Sequence, residues 1–224
     1  GETTFATLPV MAALFLPVYL GLHDLYSWTL PGAAEHDALL RWKAPFLNVP
    51  FFLIRAALYF GIWSFIALLY YRGSSGQDTT GDPGVSARLR RLAGPAIIVL
   101  ALTQTFASID WIMSLTPHWY STIFGVYFFA GSFVGFIALL SVVAVAMRRA
   151  GLLDTVISAE HLHDIGKFLF AFTAFWAYIA FSQFFLMWYA NLPEETIWFK
   201  ARIEGSWLPV SLFLMAGHFG APFF

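Results

Sequence analysis

The sequence predicts an all-α membrane protein, a polytopic bundle of transmembrane helices. Three observations carry this reading. Of the 224 residues, 59% are hydrophobic and 11% charged, where an average soluble domain carries about 25% charged residues. Six apolar runs are long enough to cross about 30 Å of hydrocarbon, which takes roughly 20 helical residues. None of them alternates apolar and polar residues with a period of two, which argues against a barrel. Aromatics reach 19%: Phe faces lipid at little cost, and Trp and Tyr favour the interfaces. The net charge of −1 makes no electrostatic case for nucleic acid. With no Cys, the chain itself can hold no disulfide, Cys-ligated iron–sulfur cluster or covalently attached c-type haem.

Taken in order, the expected spans cover about residues 7–25, 47–71, 94–115, 120–147, 165–192 and 207–224, in one helical domain, 1–224. Pro17 lies inside the first and predicts a kink. Pro50, Pro95 and Pro209 fall in first turns, where a missing N–H costs nothing. The polar stretch 73–92, rich in Gly, Ser and Asp at its start, reads as a flexible loop. In span four, Gly125, Gly131 and Gly135 suit close helix approach. In span five, Tyr178, Ser182, Phe185 and Tyr189 recur at helical spacing and read as one packing face. With no initiator Met and an apolar run reaching Phe224, both ends read as cuts in a longer chain.

Basic residues set the direction. Arg72, Arg88, Arg90 and Arg91 flank the second connection, and Arg148, Arg149 and Lys167 the fourth. The other side has Arg41, Lys43, Lys200 and Arg202. The positive-inside rule puts the second and fourth connections in the cytoplasm.

Asp110 is the most unusual residue, a carboxylate near the end of the apolar run that begins at Gly94. Such a charge is costly unless paired, hydrated or neutral. Arg55 lies roughly 12 Å into span two from the same side, at about 1.5 Å per residue. Two readings stay open: an Arg55–Asp110 ion pair joining spans two and three, and an outward-opening polar cavity serving a quinol or protons. The candidate proton path collects at His161, His163 and Asp164 and passes Gln104 and His218 near the middle. It leaves by Asp110, His23, Asp24, His118 and Glu194. Asp164, beside the start of span five, also suits a helix cap. No metal site is expected. An independent secondary transporter would need paired broken helices, and only span one has an interior proline.

Several stretches together carry a resemblance: LGLHDLYSW at 20–28, LNVPFFLIR at 47–55, and DWIMS at 110–114 followed by PHWYSTIFG at 117–125. HLHDIGKF at 161–168 and WYANLPEET at 188–196, with Trp176 upstream, complete it. Five motifs in order, spread over nearly the whole chain, resemble the ActF-type subunit of bacterial alternative complex III, a quinol:cytochrome c oxidoreductase. The resemblance implies an NrfD-like multi-pass subunit of the bacterial inner membrane, with helices in two four-helix bundles and more spans than six. Its partners would be an ActC-like membrane subunit, iron–sulfur and c-haem subunits, and lipid. Such a subunit scaffolds the complex and offers a proton path; the quinol site is usually given to its sister subunit. No cofactor of its own is then expected, a quinone (menaquinone or ubiquinone) being the one candidate ligand.

Overall fold

The computed structural model describes residues 2–152 and 156–221 and is all α-helical, with no strand among the described residues. The chain divides between His118 and Trp119 into two compact units. Four helices are long and apolar enough to cross a membrane, so this is a multi-pass membrane protein.

The first unit opens with α1 (Glu2–Leu14), α2 (Leu16–Leu20) and α3 (Leu22–Leu25). The expected first span is thus broken rather than bent. Pro17 has no N–H to offer the Ala13 carbonyl, and the helix interrupts at Phe15 and again at Gly21. Short α4 (Ala33–His36) and α5 (Ala38–Lys43) follow. Asp37 caps α5, accepting from the Leu39 and Leu40 amides at 2.9 and 3.2 Å.

α6 (Val49–Thr80) and α7 (Pro83–Trp111) form an antiparallel hairpin. Asn48 starts α6 by accepting from the Phe51 amide at 3.0 Å, with Pro50 in its first turn. The 32 residues of α6 extend about 48 Å, well beyond a hydrocarbon core of about 30 Å. The stretch expected to be a flexible loop, 73–92, is therefore helical on both sides of a tight turn. Gly81 ends α6 in the left-handed region at φ 64°, where a Cβ would be strained. Asp82 begins α7 by accepting from the Gly84 amide at 2.8 Å. Packing explains the difference: Tyr70 Oη donates to the Leu89 carbonyl at 3.1 Å. A Cβ on Gly73 would meet the Leu89 side chain at 3.0 Å. Because α7 starts so early, Pro95 is interior to it, not in a first turn.

The second unit pairs α8 (Phe124–Arg149) with α9 (Ala159–Ala190) and adds α10 (Pro193–Ile203) and α11 (Trp207–Met215). Rings interleave along α8 and α9, Phe133 with Phe172 at 4.3 Å and Tyr127 with Trp176 at 5.9 Å between centroids. Gly131 makes room for Trp176, whose Nε1 would lie 3.2 Å from a Cβ there. Gly135 faces open space. The face expected to pack, with Tyr178 and Tyr189, is 66% and 78% exposed, and α9 buries Thr173, Ile179, Gln183 and Met187 instead. Small and polar residues permit close approach, while aromatics can be left to lipid. The expected sixth span is the shorter α11 followed by a π-helical turn, Ala216–Gly220; its residues 222–224 lie outside the described residues.

Candidate functional site

The site is a buried charge cluster between the Asn48-capped end of α6 and the last turns of α7. Asp110 is 0% exposed and Arg55 9%. Arg55 Nε donates to Asp110 Oδ2 and Nη2 to Oδ1, both at 2.8 Å. This two-pronged fit adds geometry to charge. Tyr59 Oη donates to Oδ2 at 2.6 Å, so both carboxylate oxygens are used. The remaining prong of the guanidinium, Nη1, donates to the Phe46 carbonyl at 3.0 Å.

Aromatic faces close the cluster. The guanidinium carbon lies 3.9 Å from the Phe46 ring centre and 4.3 Å from that of Phe51, a cation–π arrangement. Beside Asp110, Trp111 packs against Phe15, Tyr59, Phe60 and Trp63. Tyr26 Oη donates to the Trp111 carbonyl at 3.0 Å. Ser114 Oγ donates to the Asp110 carbonyl. One level along the hairpin, Trp63 Nε1 donates to Thr103 Oγ1 at 2.9 Å.

Several of these partners stand at positions that a helical reading of the sequence makes available. Phe51 and Tyr59 are four residues on either side of Arg55, and Ser114 is four after Asp110, spacings that share a helix face. Phe46 lies in the turn before α6, and only the fold brings it in.

The other candidate residues are distributed as follows. His118 Nε2 contacts Asp37 Oδ2 at 2.5 Å. Two backbone amides of α5, Leu40 first, together with the His118 ring hold the Asp37 carboxyl below its ordinary value. His23 Nδ1 lies 3.1 Å from Thr29 Oγ1, and Asp24 is exposed in the single turn of α3. Gln104 is half-buried on α7. None of these enters the Arg55–Asp110 cluster.

In the second unit, α9 begins at Ala159, so Ser158 and His161 form the capping box. Asp164 instead pairs with Lys167 at 3.0 Å; the helix starts too early for it to cap. His163 and Glu194 are exposed. His218, in the π-helical turn, meets the Trp176 ring edge-on at 4.2 Å. Among the described residues, no three His, Asp or Glu side chains converge in a way that could hold a metal ion.

A quinol head group would need a carboxylate or imidazole open to a cavity. At Asp110 both oxygens are buried and already accept hydrogen bonds from Arg55 and Tyr59. Compared with known proteins, the chain matches no family model and no curated protein.

Proposed function

We propose that this chain is a structural, membrane-embedded subunit of a quinol:electron-acceptor oxidoreductase of the alternative complex III kind. It would sit in a bacterial inner membrane beside an ActC-like membrane subunit and subunits carrying iron–sulfur clusters and c-type haem. Its Arg55–Asp110–Tyr59 cluster has a holding role, fixing α6 to α7. The observation that carries this reading is the engagement of Asp110, whose two buried oxygens accept three hydrogen bonds, all from α6.

The residues that carry the resemblance support the same role. Asn48, Pro50, Phe51 and Arg55 of the second motif start α6 and build the cluster. Asp110, Trp111 and Ser114 of the third complete it. Tyr26 and Trp28 of the first pack around Phe52, a core residue with 0% exposure. In these motifs Asn48, Arg55, Asp110 and Ser114 are engaged in caps and helix links.

Asp110→Asn in the intact complex tests the proposal, with assembly, quinol turnover and proton release followed together. A holding role predicts less assembled complex and unchanged turnover per assembled complex. Normal assembly with lost turnover or lost proton release would instead assign Asp110 to the chemistry or to a proton route.

A further inference from the structure

Between the two cross-links Trp63–Thr103 and Tyr70–Leu89, α6 and α7 leave an apolar cleft of about 430 Å³. Its walls include Gly61, Phe65 and Leu69 of α6 and Leu92, Pro95 and Val99 of α7. Gly61 has nothing within 4 Å of where a Cβ would stand. The size falls within the range of ligand pockets, roughly 300–1,000 Å³. No hydrogen-bonding side chain other than the committed Tyr70 lines it, so its occupant there is hydrocarbon.

What lies next to the cleft identifies the rest of the occupant. Moving toward the α6–α7 turn, apolar sequence gives way to Arg72 on α6 and to Arg88, Arg90 and Arg91 on α7. All four are exposed and make no hydrogen bond or ion pair among the described residues. Arg72 is three residues past Leu69, and Arg88 four before Leu92, spacings that continue the two cleft-lining faces. Arg91, four before Pro95, lies on the α7 face as well, whereas Arg90, two residues from Leu92, falls away from it. The hairpin's own carboxylates at this end, Asp78 and Asp82, lie near its tip, and Asp82 is engaged as a cap.

We propose that this cleft seats an acyl chain of an anionic phospholipid from the leaflet around the α6–α7 turn, with its phosphate held by Arg72 and Arg88. Apolar walls below exposed, unpartnered cations match the two ends of such a molecule and no water-soluble ligand. Basic residues beside a membrane surface attract anionic lipid, and Arg suits phosphate through its planar donors. The inference requires only that the hairpin crosses the bilayer, so it stands or falls apart from the respiratory assignment.

Native mass spectrometry on the protein extracted from membranes with its partners tests this. The probes are phosphatidylglycerol and phosphatidylcholine with identical acyl chains. The expected result is selective retention of phosphatidylglycerol. It should weaken roughly tenfold or more in Arg72→Gln/Arg88→Gln and stay unchanged in Arg90→Gln. Gly61→Leu, which fills the cleft and leaves the charges in place, should weaken it as well. Equal retention of both lipids would overturn the proposal, as would a loss in Arg90→Gln as large as in the pair, or full retention in Gly61→Leu. A polypeptide segment in the cleft in place of lipid would overturn it too. Should the double Arg variant fail to fold, Gly61→Leu against Arg90→Gln still decides the matter.

Discussion

The two long helix pairs solve one problem in different ways. Within a bilayer the apolar surface of a helix gains little by leaving lipid for another helix, so association relies on close packing and polar links. The α6–α7 hairpin uses polar links: the Arg55–Asp110–Tyr59 cluster at one end, Trp63 to Thr103 further along, and Tyr70 to Leu89 near the turn. The α8–α9 pair uses shape, with Gly131 against Trp176 and ring on ring. Each pair still leaves one buried donor without a partner among the described residues, Trp111 Nε1 on α7 and Gln183 Nε2 on α9. The lesson is that α6–α7 is sensitive to chemistry and α8–α9 to volume.

The largest expected effect is on the polar side. Asp110→Asn removes the charge opposite Arg55 and leaves a buried cation, which costs about 3–5 kcal/mol. Thermal unfolding in detergent should show a large loss, and a variant as stable as the parent would break the contrast. Next comes the volume side. Gly131→Leu should cost about 1–3 kcal/mol through overpacking against Trp176, while Gly135→Leu, facing open space, should leave stability unchanged. If both behave alike, shape is not what joins α8 to α9.

Tyr59→Phe sharpens the polar account by removing one hydrogen bond and keeping the ion pair. A loss of about 1.5–3 kcal/mol is expected for a bond to a charged group, smaller than for Asp110→Asn in the same assay. The smallest effect is outside the membrane, at Asp37. Its carboxyl is held low by the α5 amides and His118, so its folded-state value lies below the unfolded one. The stability it contributes is therefore fully present above the unfolded value of about 3.9 and is lost as pH falls through the lower folded value. Amide exchange at Leu39 and Leu40 should be slower in the parent than in Asp37→Asn at neutral pH, and the gap should close only in strong acid.

Much of this was legible in the residues, and the failures have physical causes. The helical membrane class followed from composition and run length alone. Asp110 and Arg55 stood out because charges in apolar runs are costly, and the structure puts them 2.8 Å apart. Tyr59, Phe51 and Ser114 shared helical faces with them, so a period-3.6 reading could have found these partners. Phe46 could not be found that way, since it arrives through a turn. The 73–92 stretch misled because Gly, Ser and Asp signal loops locally, whereas Leu89 packing on Gly73 and Tyr70 is a tertiary fact. The Tyr178–Tyr189 face misled for a related reason: periodicity shows that residues share a face, not whether that face meets a helix or lipid. The first span was marked by Pro17, but a break and a kink look alike in sequence.

We propose, as the central point, that the Arg55–Asp110 pair serves to hold α6 to α7 rather than to carry proton or electron chemistry. Replacing both partners at once tests it most directly. A buried ion pair can often be exchanged for apolar side chains of similar volume at little cost, whereas removing one partner is severe. In Arg55→Met/Asp110→Leu, measured in the assembled complex, the account predicts recovery of most of the assembly lost in Asp110→Asn, with quinol turnover and proton release per complex at the parent level. Recovered assembly with turnover or proton release per complex lost would contradict it.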